Sequence, residues 1–114
     1  MKSVAVYCGS APGSSKVFAE ATRATAQAMV GRGVDLVYGG GRLGLMGLVA
    51  DTVLELGGRV YGVIPQALVD IEVAHPSVTE LHVVETMHER KAKMTELADG
   101  FLALRWVDAA RRAD

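Results

Sequence analysis

The stretch Val34-Asp35-Leu36-Val37-Tyr38-Gly39-Gly40-Gly41-Arg42-Leu43-Gly44-Leu45-Met46-Gly47 changes character twice along its length. Val34–Tyr38 is apolar at nearly every position, as expected of a strand covered on both faces in a parallel sheet. Glycines follow. Leu45, Leu48, Val49, Val53 and Leu56 then recur at helical spacing until Gly57-Gly58 closes the stripe. A strand, a glycine turn and a helix in that order form a unit that leads by a crossover to another parallel strand.

The same alternation runs outward in both directions. Short apolar, mostly β-branched runs at Val4–Cys8, Val60–Ile64, Leu81–Val84 and Phe101–Leu104 read as further strands. Phe18, Ala21, Thr25, Ala28 and Met29 place a helix over Ser15–Met29, with Ser14 or Ser15 as N-cap and Gly31 and Gly33 as the stop. A third helix is predicted from Thr86 to Ala98, whereas Pro65–Val78 supports one helical turn and a loop. The expected fold is α/β, an open doubly wound parallel sheet with helices on both faces. Ligands bind such sheets outside the carboxyl ends of the strands. Gly9-Ser10-Ala11-Pro12-Gly13 and Gly39-Gly40-Gly41 both fall there.

Composition agrees. Of 114 residues, 50% are hydrophobic and 22% charged, and 12 Lys+Arg against 13 Asp+Glu leave a formal charge of −1. Intrinsic disorder is excluded, and one core is the expectation for this length. A chain this close to neutral carries no electrostatic footprint for nucleic acid or an acidic membrane. No run approaches the roughly 18 apolar residues of a membrane span. The apolar run after Lys2 is too short for a signal-peptide core, and Cys8 is the single cysteine, so a cytoplasmic protein without an intrachain disulfide is expected.

The glycine turn admits two readings. Its backbone N–H groups, with the helix N-terminus behind them, can converge on an anion, and Arg42 can add a charge-assisted bond to a phosphate. It can equally be a tight, closely packed turn without a ligand. Gly39, Gly41 and Gly44 satisfy G-x-G-x-x-G, but the match follows the second strand, and no carboxylate stands in Arg59–Pro65 to hold a ribose diol. No Gly-Lys-Ser/Thr sequence exists, which excludes a P-loop. A mononucleotide or sugar phosphate fits better than a dinucleotide.

The third helix carries a residue of the wrong polarity. Met87, Arg90, Met94, Leu97 and Ala98 share one arc of about 100°, while Glu89, Lys93 and Glu96 lie opposite. An inward arginine is costly without an anionic partner or a wet cleft. Arg90 is therefore either a ligand-binding guanidinium, suited to a phosphate, carboxylate or purine edge, or a snorkelling or ion-paired structural residue. His75, His82 and His88 lack metal-ligand spacing and read as solvated or strand-surface histidines. Cys8 reads as a small core residue, and Ser10 as either a phosphate donor or a turn serine. There is no G-x-S-x-G elbow and no Ser/His/Asp set.

Four segments together resemble a known family: Val6-Tyr7-Cys8-Gly9-Ser10, the glycine turn Gly39–Gly47, Met87-His88-Glu89-Arg90-Lys91-Ala92-Lys93-Met94, and Ala98-Asp99-Gly100-Phe101-Leu102-Ala103-Leu104. In this order they are similar to the Lonely Guy (LOG) family, the cytokinin riboside 5′-monophosphate phosphoribohydrolases long labelled "possible lysine decarboxylase". The resemblance implies a Rossmann-like nucleotide-binding domain over residues 1–104 and a homodimer. It also implies hydrolysis of the N-glycosidic bond of AMP, or of an N6-modified AMP, to free base and ribose 5-phosphate, without a cofactor or metal. By the same likeness Gly9, Ser10, Gly40, Gly41 and Gly44 belong to the nucleotide side, Met87 and Lys91 lie near the ligand, and Arg90 is the catalytic or leaving-group-side arginine. The decarboxylase label finds no support, because no lysine is singled out for a Schiff base and no pocket for pyridoxal phosphate.

The likeness stops at Leu104, so the expected sheet is truncated after its fifth strand. The family continues with Pro-Gly-Gly-x-Gly-Thr-x-x-Glu, whose glutamate supplies the catalytic carboxylate. Here a charged tail, residues 105–114, begins Arg105-Trp106-Val107-Asp108-Ala109-Ala110. One expectation is an out-of-frame reading: Arg-Trp-Val-Asp-Ala-Ala can be encoded as CGG TGG GTG GAC GCT GC(N), which shifted by one base reads Gly-Gly-Trp-Thr-Leu. Cleavage through an oxocarbenium-like state needs a carboxylate and a positioned water. The alternative expectation is therefore a catalytically inactive nucleotide or sugar-phosphate binding module, or a fragment of such an enzyme.

Overall fold

A computed structural model describes residues 2–8 and 16–104. Its elements are β1 (Ser3–Cys8), α1 (Lys16–Gly31), β2 (Asp35–Tyr38), α2 (Gly44–Glu55), β3 (Val60–Pro65), β4 (Glu80–Val84), α3 (Met87–Leu97) and β5 (Gly100–Leu104). A 3-10 turn, Gln66–Leu68, stands in the weakly patterned stretch after β3. All neighbouring strands pair in parallel, in the order β4-β3-β2-β1-β5. The chain steps outward from β1 to β4, and α3 then returns it to lay β5 against the other side of β1. The Rossmann-like open sheet is confirmed. Among the described residues no helix is long and apolar enough to cross a membrane.

Alternation along the strands builds a core on each face of the sheet. Val6, Leu36, Tyr38 and Val60 meet Ala26 and Met29 of α1 and Val49, Ala50 and Val53 of α2. Ala5, Val37 and Val63 point the other way and meet Met94 of α3. Leu36, Val37, Tyr38, Val60, Val63 and Ile64 are completely buried, so β2 and β3 are covered on both faces as their sequences predict. β4 corrects that expectation. It is an edge strand with Leu81 and Val83 exposed. An apolar run reports strand propensity, whereas its position in the sheet is set by the crossovers.

Local signals fix the helix ends. Gly33 takes φ +67°, its N–H donates to the Val30 carbonyl, and the Val34 N–H reaches back to Met29. Gly57, at φ +84°, repeats the arrangement with Leu54, while the Gly58 N–H bonds Val53. Both are paired-bond C-caps that need a left-handed residue. Thr86 caps α3, its hydroxyl accepting the Glu89 N–H at 3.1 Å, while the Glu89 carboxylate accepts the Glu85 N–H at 2.9 Å. This reciprocal arrangement resembles a capping box.

Candidate functional site

The carboxyl ends of β1 and β2 open onto a cavity of about 530 Å³, within the size range of small-molecule sites. Tyr7 and Gly39 come from the strand ends, Met46 from the first turn of α2, and Met87, Arg90 and Lys91 from α3. Three of the residues expected at the ligand, Met87, Arg90 and Lys91, are thus brought to one hollow. Helical spacing does this: positions 87, 90, 91 and 94 lie on one side of α3, and Met94 at the base is buried in the sheet.

Arg90 points inward, as its place in the apolar arc predicts, and its side chain is only 12% exposed. Nε donates to the Val63 carbonyl at 3.0 Å. Nη2 donates both to the Gly39 carbonyl and, at 2.8 Å, to Glu72 Oε1. A guanidinium has five N–H donors; among the described residues three are committed to oxygen acceptors, and the two on Nη1 have none. Nη1 lies 3.9 Å from Met87 Sδ, a weak acceptor on the cavity wall. The two readings of Arg90 therefore coexist: one edge is an ion-paired structural group, and the other edge faces the cavity.

The glycine turn is more committed to the fold than its composition suggests. The Gly40 carbonyl accepts the His75 N–H at 2.9 Å, and the Arg42 N–H is shared between the Glu72 and Val73 carbonyls. Tyr38 Oη donates to the Gly41 carbonyl at 2.8 Å. A Cβ on Gly40, already at φ +81°, would press on Ile64 and Leu81, and one on Gly41 would meet Glu72. Gly44, at φ +62°, opens α2, and a Cβ there would meet nothing within 4 Å among the described residues. Gly40, Gly41 and Gly44 do not line the cavity with Arg90, whereas Gly39 does. Arg42 is exposed. Gly9, Ser10, Ser14, Ser15 and residues 105–114 lie outside the described residues, as does the side chain of Cys8.

Sequence reasoning missed Glu72, the carboxylate on Arg90, because it stands in the weakly patterned Pro65–Val78 stretch. His75 corrects another expectation. It is buried rather than solvated, its Nδ1 accepts the Ser77 N–H at 3.1 Å, and its Nε2 meets Asp51 Oδ1 at 2.5 Å. With Nδ1 accepting, the proton sits on Nε2 and is donated to Asp51. That partner lies on α2, invisible to local spacing. Burial, with the Asp51 charge as the lesser cause, pushes the Tyr38 phenol well above its ordinary range, so it remains a neutral donor to Gly41. Among the described residues no cluster of three His, Cys, Asp or Glu side chains could hold a metal ion.

Residues 46–105 match the model of the family described as "Possible lysine decarboxylase", a span that takes in Glu72, all of α3 and β5. The chain belongs to this family. Within it, the chain is 50% identical over 101 residues to a rice protein named probable cytokinin riboside 5′-monophosphate phosphoribohydrolase LOGL1, covering 89% of this chain and 45% of the relative. It is 48% identical over 104 residues to the cytokinin riboside 5′-monophosphate phosphoribohydrolase of Rhodococcoides fascians, covering 90% of this chain and 52% of the relative. The resemblance to the LOG proteins is borne out, and the chain spans about half the length of these relatives. An X-ray structure of TM1055 superposes with a TM-score of 0.70 at 25% identity, over 91% of this chain and 61% of that one.

Proposed function

We propose that this chain carries the arginine side of a nucleotide N-ribohydrolase site, acting on AMP or an N6-modified AMP to release the free base and ribose 5-phosphate. The observation that carries the reading is the Nη1 edge of Arg90, left facing a small-molecule cavity while the rest of the guanidinium is pinned. The names of the two relatives support the substrate class. In this reading residues 1–104 form the nucleotide-binding domain and residues 105–114 a separate tail. Met87 packs on the ligand, Lys91 supplies a second cation at the cavity mouth, and Gly9, Ser10, Gly40, Gly41 and Gly44 shape the nucleotide side. Arg90 donates hydrogen bonds to the departing base or the ribosyl oxygens as charge shifts across the glycosidic bond. A homodimer and a cytoplasmic setting belong to the same reading.

Among the described residues, the cavity lining holds no carboxylate. Glycoside cleavage needs one. By resemblance it lies in the signature that follows β5 in the family; the rival reading is a module that binds the nucleotide and does not cut it. Incubation with AMP and with its N6-isopentenyl analogue, with free base measured, separates the two. Base release that Arg90→Ala abolishes supports the hydrolase. AMP binding without release supports the binding module, and absence of both overturns the nucleotide reading.

A further inference from the structure

We infer that Glu72 is a positioning residue: its carboxylate fixes the rotation of the Arg90 guanidinium so that Nη1, and no other edge, is presented to the ligand. The inference deepens the nucleotide reading above and rests on it for the identity of the ligand.

The guanidinium is reached from three separate elements: the Val63 carbonyl in β3, the Gly39 carbonyl at the end of β2, and Glu72 Oε1 on the segment between β3 and β4. The two carbonyls hold Nε and one hydrogen of Nη2. Glu72 takes the remaining Nη2 hydrogen at 2.8 Å, with its side chain only 23% exposed. Removing it would leave a mostly buried cation with an unfilled donor, free to swing that donor into the cavity or to exchange Nη1 and Nη2. Glu72 also neutralises Arg90 locally, so the exposed edge acts as an oriented pair of hydrogen-bond donors rather than as a bare charge.

The backbone around Glu72 is built to hold it there. Val73 adopts φ +52°, and among the described residues it is the sole non-glycine with positive φ. For a β-branched side chain this is strained, and such strain persists only where the surroundings impose it. They do so from both sides. The Arg42 N–H binds the Glu72 and Val73 carbonyls, Gly41 bridges to Ala74, and His75 is buried on Asp51 with its own N–H on Gly40. The glycine turn thus clamps the backbone on which Glu72 stands, which gives the packed side of Gly40 and Gly41 a purpose beyond ligand contact.

A double-mutant cycle read by calorimetric AMP binding tests the inference. Glu72→Ala lowers affinity about tenfold when Arg90 is present and changes it less than about twofold in an Arg90→Ala background, because the effect passes through the arginine. An equal loss in both backgrounds, or no loss in either, overturns it. The guanidinium NMR signals of Arg90 supply a readout that needs no ligand. They give separate Nη resonances in the parent and merge as the group rotates in Glu72→Ala, while Glu72→Gln, which keeps an acceptor oxygen, retains part of the separation. Unchanged resonances in Glu72→Ala refute the positioning role. If the parent binds no AMP, the nucleotide reading fails alone, and these resonances still decide the role of Glu72.

Discussion

Arg90 and Gly39 show what one residue can decide. The inward face of Arg90 is legible in the sequence because helical geometry assigns it an arc, and the arc is otherwise apolar. Its partners are not legible, since Val63, Glu72 and Gly39 lie 27, 18 and 51 residues away. Gly39 itself has room for no side chain: a Cβ there would stand 2.5 Å from Arg90 Nη2 and 3.1 Å from its Cζ. The obstruction is the far end of a flexible side chain, so Gly39→Ala is expected to fold and to evict the guanidinium. Stability should fall by about 1–2 kcal/mol, the cost of repacking and of a partly buried ion pair disturbed. AMP affinity should fall at least about tenfold, as if the oriented donors had been removed. Urea midpoints beside calorimetric titrations test this, and unchanged AMP binding would separate Gly39 from the site. Gly47→Ala behaves differently, because its Cβ would run into the Arg42 carbonyl, which is backbone and cannot step aside. A loss of about 3 kcal/mol or more is expected from urea unfolding.

At the scale of elements, the sequence announces those whose two faces are both buried and misreads those at the margin. β2 and β3 are apolar throughout and central, while β4 is nearly as apolar and sits at the edge. The segment from Gln66 to Val78 carries little periodicity, yet it delivers Glu72 to Arg90 and His75 to Asp51. Its contacts are long-range and polar, and neither leaves a local pattern. α3 is the element most dependent on its cap, because few of its side chains are buried and only Met94 is fully so. Thr86→Ala removes the hydroxyl that accepts the Glu89 N–H, with an expected loss of about 1 kcal/mol. Since Arg90 begins one turn further on and its own N–H bonds the Thr86 carbonyl, fraying there should reach the site. Hydrogen exchange is the suitable measurement: faster exchange at Glu89 and Arg90, with β2 and β3 unaffected, is the expected result.

Across the whole molecule, the first strand and the last lie side by side although nearly the whole described sequence separates them. Asp99 is the knot. Its carboxylate accepts the N–H groups of Lys2 at 2.9 Å and Ser3 at 3.2 Å, its own N–H donates to the Ser3 carbonyl, and the Ser3 hydroxyl bonds the Leu97 carbonyl at 2.7 Å. The bonds from Lys2 and then Ser3 hold the Asp99 carboxyl below its ordinary 3.8. A carboxylate depressed in the folded state contributes stability that is fully present above 3.8 and is lost as pH falls through the folded-state value, because the unfolded chain binds the proton first. Asp99 is exposed, so the contribution is modest and screened by salt. Asp99→Asn keeps an acceptor oxygen and removes the titration. Thermal melts from about pH 6 to about pH 3 should show the parent ahead of the variant above 3.8 and the gap closing below it, with added salt shrinking the gap throughout. Parent and variant melting together at every pH would mean that β5 is held to β1 by its strand bonds alone and that the carboxylate is incidental.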